Sequence, residues 1–302
     1  MAKKTNTAAT FDSKNAIQSL AAVARKALSN EAVFSGTESD LGEPQHFLPT
    51  GIEELDEVLE ANKRGYPMGR IIEVFGESQT GKTTLAYNAI AKVQDRGGMG
   101  VLFTAEGEFS RTLALAYGIN TDNLLVVDSN IVEEVFETVH KLIEANKEIP
   151  MVIVVDSVAG LSTNAEVANA TFDQDRQAQM RAQLISKALR IIGALIPRSP
   201  HLLYLINQVN EGDVSPQGFK SKAKPVGGKR IGFYASLRLR IEPLGKVYRT
   251  RDKKKYVAGL KVRLTAEKNR LNTPYGTCDL IIDFEKGLRS ASSKTDAEEV
   301  DE

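Results

Sequence analysis

Residues 71–84 read IIEVFGESQTGKTT: an apolar, β-branched run breaks into a glycine-bounded loop, then into helix-forming sequence from Lys82 onward. Gly76 to Thr83 satisfy the pattern G-x-x-x-x-G-K-[ST] in full, and the strand before and helix after supply the context that pattern needs. Gly76 and Gly81 allow backbone conformations closed to other residues, so that successive N–H groups can approach a phosphate chain. The stretch Gly76, Glu77, Ser78, Gln79, Thr80, Gly81, Lys82, Thr83 and Thr84 is therefore the candidate phosphate cradle. Within it Lys82 brings charge to the β- and γ-phosphates and Thr83 offers a hydroxyl to Mg²⁺. The helix that follows points its positive dipole end at the same anions.

A chain of 302 residues with 42% hydrophobic content can bury a proper α/β core. No apolar run approaches about 18 residues, and the start MAKKTNTAAT lacks the apolar stretch of a secretory signal, so a soluble, cytoplasmic protein without membrane partners is expected. Cys278 is the only cysteine, which excludes an internal disulfide. His46, His140 and His201 have no ligand spacing, leaving Mg²⁺ with nucleotide as the only expected metal. Net charge is zero, yet Lys220 to Lys255 holds thirteen Lys/Arg against Glu242 and Asp252, while Asp296 to Glu302 holds five acids in seven residues. That asymmetry predicts a polyanion site and an acidic tail.

Ile17, Leu20, Val23, Ala24, Ala27 and Leu28 recur at helical spacing, which predicts an amphipathic helix over 13–29 and then a polar linker through Gly42. Such a helix either folds back on its own core or docks on another copy. Thr50 and Glu53 fit a capping box for a short helix over 51–60, and Gly65, Pro67 and Gly69 form the turn into the phosphate-loop strand. Beyond the loop, helices alternate with apolar runs at 101–106, 124–128, 151–156 and 202–207. One helix is marked by the stripe Val132, Val135, Phe136, Val139, Leu142 and Ile143. From 233 onward ASLRLRIE, a basic link, GLKVRLTAE and CDLIIDF read as antiparallel strands. The fold class is α/β, with a mostly parallel central sheet carrying an antiparallel extension and preceded by an N-terminal helix.

Asp156 ends the run VIVV, at the carboxyl edge of a strand, where open α/β sheets place their ligand crevice. A carboxylate there can share Mg²⁺ with Thr83; a mere helix cap is the alternative. Glu106 ends TAE equivalently and is the candidate general base for an attacking water, unless it is a solvated loop acid.

The stretches LPTGIEELDEVL, GYPMGRIIEVFGESQTGKTT, VIVVDSVAGL, LLYLINQ, GGKRIGFYASLRLRI and AEKNRL, in this order and spacing, resemble RecA-type recombinases over roughly residues 47–290. The resemblance implies a P-loop NTPase core at 47–288 that binds ATP and Mg²⁺. An oligomerising helix and linker at 1–46 would precede it, and an acidic flexible tail at 289–302 would follow. It gives Lys82 and Thr83 their phosphate and Mg²⁺ roles, Glu106 that of catalytic glutamate and Asp156 that of Mg²⁺ acid. Gln208 becomes the γ-phosphate sensor that signals to a DNA-binding loop at 209–228, expected to be flexible when empty. In that loop Phe219 would wedge between nucleotides, and Lys220, Lys222, Lys224, Gly227 and Gly228 would follow the DNA backbone. An exposed lysine-rich linker is the other reading. A first DNA loop would span about 164–180, with Arg181 and Arg190 near it. Lys268 and Arg270, in EKNR, would reach a neighbouring subunit's nucleotide; a solvated pair at a strand end is the alternative. Ser110 and Leu113 stand where the family commonly has an acid and a tyrosine around adenine, and Phe284 is the candidate to stack there. The implied function is a DNA-dependent ATPase that forms helical filaments on single-stranded DNA and exchanges strands with duplex DNA. A ring-shaped helicase or translocase and an ATP-gated structural filament share these features. With about a dozen residues after Leu288, the chain resembles a short, phage-encoded or minimal recombinase.

Overall fold

Along the central strands successive side chains turn to opposite faces, and both faces are buried. Ile71, Ile153, Val155, Leu203 and Leu205 enter one core; Ile72, Val74, Val152, Val154, Leu202, Tyr204 and Ile206 enter the other. This is the two-sided burial of parallel strands covered by helices. The computed structural model describes residues 13–27, 43–168, 174–210, 224–225, 229–292 and 299–301.

The chain divides into two units, Met1–Glu43 and Pro44–Glu302. The first contains α1 (Ser13–Ala27), on which Ile17, Leu20 and Val23 form an exposed apolar stripe. The second begins with β1 (Phe47–Leu48), α2 (Glu53–Leu59) and β2 (Tyr66–Pro67). It continues through β3 (Arg70–Gly76), α3 (Lys82–Gln94), β4 (Met99–Thr104), α4 (Arg111–Ala116), β5 (Leu124–Asp128), α5 (Val132–Ala145) and β6 (Met151–Asp156). Then come α6 (Asn164–Ala168), α7 (Gln174–Leu195), β7 (Leu202–Asn210), β8 (Lys224–Pro225) and α8 (Lys229–Tyr234). Last are β9 (Leu237–Arg251), β10 (Lys254–Asn269), β11 (Thr277–Asp283), β12 (Gly287–Ser290) and β13 (Glu299–Asp301). The main sheet runs β12-β11-β10-β9-β3-β7-β6-β4-β5. From β9 to β5 the pairing is parallel, and from β9 to β12 antiparallel. The carboxyl ends of β3, β4, β6 and β7 therefore share one edge, where an open α/β sheet places its crevice.

Three features differ from expectation. The capping box at α2 does not form: Ile52 is the N-cap, without a side-chain bond. Thr50 Oγ1 turns to the backbone of Ile52, the Thr50 N–H donates to Asp56 Oδ1 at 2.9 Å, and Glu53 is taken by Lys63 at 2.9 Å. The basic link between the last strands is not a loop, because β9 and β10 stay paired up to a two-residue turn at Asp252–Lys253. The acidic tail contributes β13, which pairs with β9 at residues 246–248.

Among the described residues two acids of the sheet are almost fully buried, Glu73 in β3 and Asp283 in β11. Glu73 in β3 is 1% exposed; it accepts from Arg238 Nε of β9 at 2.6 Å and from Asn207 Nδ2 of β7 at 2.9 Å. A buried carboxylate left unpaired is strongly destabilising, so these partners are a condition of its presence. Together they tie the phosphate-loop strand to both of its neighbours.

Candidate active site and DNA interface

The phosphate loop leaves β3 where neighbouring atoms leave no room for a side chain. A Cβ at Gly76 would lie 2.3 Å from the Ile241 carbonyl oxygen, and one at Gly81 would lie 2.6 Å from Ile282 Cγ1. Gly81 also has φ +87°, the left-handed conformation that starts α3. Lys82 is buried, and its ammonium donates to the carbonyls of Gly76 (3.2 Å) and Glu77. Burial lowers its pKa, and the nearby Asp156, Glu106 and Glu77 carboxylates offset part of that effect.

Asp156 at the end of β6 and Glu106, just past the end of β4, meet this loop. Thr104 of β4 lies opposite Asp156 of β6, so the residues after each strand project together. Thr83 Oγ1 donates to Asp156 Oδ2 at 2.6 Å. Burial raises the Asp156 pKa, with the Thr83 bond opposing and the Glu106 charge adding to the rise. Glu106 Oε1 accepts from Ser157 Oγ at 3.0 Å and from Gln208 Nε2 at 3.3 Å. Gln208 in turn lies opposite Gly76 in the β3–β7 register. Lys82, Thr83, Asp156, Glu106 and Gln208 thus lie in one cluster. A hydroxyl and a carboxylate converging beside a helix N-terminus, with a buried ammonium next to them, fit a phosphate chain and a small hard cation with oxygen ligands.

Sequence reasoning missed Ser157. It carries no motif, and its only signal is a hydroxyl directly after the strand-end acid. Tyr117 was also missed: it hydrogen-bonds with Thr84, stacks edge-on against Tyr87 at 6.3 Å between ring centroids, and lies 3.2 Å from where a Cβ on Gly287 would be. Ser110 caps α4, its side chain accepting from the Leu113 N–H at 3.2 Å, and Leu113 is partly exposed on the same turn. Phe284 is 44% exposed on the β11–β12 turn, two residues after the Ile282 that packs on Gly81. An aromatic is therefore available beside the loop.

Lys268 and Arg270 are not in this cluster. Lys268 pairs with Arg238, which bonds Glu73, three residues before Gly76 and two strands away. At about 3.3 Å per residue and 4.8 Å per strand, that is roughly 14 Å from the loop. Lys268 Nζ instead donates to the carbonyls of Gly232 (2.7 Å), Phe233 (3.1 Å) and Ala235 (2.6 Å) at the end of α8, and Arg270 donates to Phe233 O at 3.2 Å. Burial and the neighbouring Arg270 and Arg238 lower the Lys268 pKa to about 8.

Of the expected DNA-binding residues, Phe219, Lys220, Lys222, Gly227 and Gly228 lie outside the described residues. Lys224 lies in β8, which pairs antiparallel with the end of β7. The first DNA loop is largely helical where described, as α6 and the start of α7 occupy it. Arg181 and Arg190 are both on α7, nine residues apart and so on opposite faces at about 3.6 residues per turn. Arg181 donates to Leu161 O at 2.9 Å, while Arg190 is exposed.

The family described as RecA N-terminal domain matches residues 15–289, most of the chain. The chain belongs to the RecA family. Among curated relatives, Protein RecA of Borrelia hermsii is 35% identical over 260 residues, covering 86% of this chain and 70% of that protein. Protein RecA of Treponema denticola is 36% identical over 265 residues, covering 87% and 60%. That of Borreliella burgdorferi strain B31 is 34% identical over 274 residues, covering 90% and 72%. This RecA-family core therefore spans part of each of these longer proteins. Among the described residues no helix is long and apolar enough to cross a membrane, and no cluster of His, Cys, Asp and Glu could hold a metal by itself.

Proposed function

We infer that this chain couples ATP hydrolysis to DNA recombination through Gln208. The protein is a DNA-dependent ATPase of homologous recombination and repair that binds nucleotide and DNA and assembles into filaments. The observation that carries the coupling is the Gln208–Glu106 bond, made near the end of β7, which runs to Asn210. Gln208 touches the candidate base on one side and is continuous with the candidate single-strand loop on the other.

In the reaction, backbone N–H groups of residues 77–82 and the Lys82 ammonium receive the β- and γ-phosphates. Thr83 Oγ1 and Asp156 Oδ2 would hold Mg²⁺, which when bound neutralises charge on the phosphate oxygens. Glu106, oriented by Ser157, takes the proton of the attacking water. Gln208 gives up its bond to Glu106 to reach the γ-phosphate, and the 209–228 loop responds by gripping single-stranded DNA. Lys268 and Arg270, too far from their own loop, act on the nucleotide of an adjacent subunit. Oligomerisation uses the exposed α1 stripe against another copy, which gives a helical filament that pairs its strand with duplex DNA. Phe284 and Tyr117 supply the aromatic surface for the base.

The test is Gln208→Ala with nucleotide binding, basal hydrolysis and DNA-stimulated hydrolysis measured separately. Binding and basal turnover should persist while stimulation by single strands disappears. Full stimulation in that variant would remove Gln208 from the coupling path.

A further inference from the structure

Three polar side chains meet on one face of the central sheet. Glu73 of β3 lies opposite Arg238 of β9 on one side and Leu205 of β7 on the other, and Asn207, two residues beyond Leu205, shares that face. Glu73 is 1% exposed and Asn207 is fully buried. An acid and an amide at that depth must find partners within the protein. Asn207 Nδ2 donates to Glu73 Oε1 at 2.9 Å, and Arg238 Nε donates to Glu73 Oε2 at 2.6 Å. At the other end of the amide, Asn207 Oδ1 accepts from the backbone N–H of Gln208 at 2.9 Å.

The supply of donors and acceptors sets the direction of this chain. Arg238 carries N–H groups only, whereas an ionised carboxylate accepts at both oxygens. The guanidinium has little room to turn away: it lies 4.7 Å over the Phe75 ring, and a Cβ on Gly232 of α8 would meet its Nε at 2.9 Å. Glu73 therefore offers Asn207 an acceptor and never a donor. The amide must turn its Nδ2 to Glu73, which leaves Oδ1 for the Gln208 N–H.

We propose that Glu73 is a positioning residue for DNA-stimulated hydrolysis: by orienting the Asn207 amide it anchors the Gln208 backbone, so that the Gln208 side chain swings between Glu106 and the γ-phosphate about a fixed point. Glu73 precedes Gly76 by three residues, about 10 Å at about 3.3 Å per residue, and acts on the site only through Asn207. This role rests on the coupling through Gln208 proposed above and names what holds that residue in place. Without the anchor, Lys82, Thr83, Asp156 and Glu106 keep their places, and only the signal carried by Gln208 is lost.

Glu73→Gln replaces two acceptors by one acceptor and one donor. Arg238 takes the new carbonyl, the new N–H group turns to Asn207, the Asn207 amide flips, and two N–H groups then oppose each other at Gln208. In the double variant Glu73→Gln/Asn207→Asp the charge moves by one side chain. The aspartate carboxylate accepts both from the new amide and from the Gln208 N–H, so every bond is restored. Asn207→Ala deletes the Gln208 contact while leaving the Glu73–Arg238 pair in place.

Hydrogen exchange at the Gln208 amide is read by fragmentation mass spectrometry on the nucleotide-free protein, with basal and single-strand-stimulated hydrolysis and the melting temperature measured on the same variants. In Glu73→Gln and Asn207→Ala the Gln208 amide should exchange faster on the order of tenfold, the worth of about one net hydrogen bond. Stimulation should fall to the basal rate while nucleotide and DNA affinities hold. The double variant should recover both slow exchange and stimulation, which a role in stability alone would not produce. Unchanged exchange in the folded single variants, or no recovery in the double variant, overturns the proposal and leaves the coupling to be judged by Gln208→Ala. Faster exchange with full stimulation instead removes Gln208 from the coupling path, and the positioning role of Glu73 falls with it.

Discussion

Replacing Glu106 by Gln removes a base while leaving its surroundings in place. Glu106 Oε1 accepts from Ser157 Oγ at 3.0 Å and Gln208 Nε2 at 3.3 Å, and a glutamine carbonyl can still accept both bonds, though more weakly than a carboxylate. The side chain therefore stays where it is, and only its capacity to take a proton is lost. Positioned general bases contribute about 10²- to 10⁴-fold, which at about 1.36 kcal/mol per tenfold is roughly 2.7 to 5.4 kcal/mol of barrier. Single-turnover hydrolysis of ATP with Mg²⁺ and single-stranded DNA should fall by that factor, with nucleotide affinity and DNA affinity within about threefold of wild type. Assemblies trapped with ATP should outlast those of the wild type. Hydrolysis at the wild-type rate would refute Glu106 as the base, and loss of nucleotide binding would show that its role is to hold the site together.

Three further outcomes follow from the same geometry. Arg238→Met strands the Glu73 carboxylate in the sheet, which should cost about 3 to 5 kcal/mol and, at about 2 to 4 °C per kcal/mol, lower the melting temperature by roughly 6 to 20 °C. Adding Glu73→Gln should recover most of that loss, and no recovery would mean the guanidinium matters for packing alone. Burial holds the Asp156 carboxyl above its usual 3.8, so its charged form destabilises the folded chain once pH exceeds the folded value and not below the unfolded one. Asp156→Asn should therefore raise the melting temperature of the ligand-free protein at neutral pH while abolishing Mg²⁺-dependent nucleotide binding; a lower melting temperature would contradict the assigned cause. In mixtures, excess Lys82→Ala subunits should restore turnover to Arg270→Ala subunits, whereas residual rates despite co-assembly would end the shared-site proposal.

The phosphate loop was legible because its motif residues are contiguous and Gly81 answers to a local constraint, its positive φ, although Gly76 is constrained by Ile241 on a distant strand. The parallel sheet was legible because both of its faces are buried, which makes its strands continuous apolar runs. Asp156 could be singled out from its position at the end of β6, whereas Glu106 lies beyond the end of β4 at Thr104. Other parts depend on partners distant in sequence. Glu73 is an isolated acid in an apolar run until Asn207 and Arg238 arrive on neighbouring strands. Thr50 looks like a cap for Glu53, but the deeper contact with Asp56 prevails. The paired ends of β9 and β10 were hidden because charge reads as loop, whereas cross-strand pairing keeps Arg251 and Lys255 in strands. Arg181 and Arg190 look adjacent in a list of cations, yet half a helical turn separates their directions.

Nucleotide bound at the Lys82–Glu106–Gln208 cluster should drive assembly on single-stranded DNA for strand exchange. The most direct test is electron microscopy of the protein on single-stranded DNA with ATP and Mg²⁺, followed on the same preparation by a strand-exchange assay with homologous duplex. Continuous helical filaments and formation of joint molecules are expected, both lost in Lys82→Ala. Closed rings with duplex unwinding and no exchange would contradict a recombinase filament.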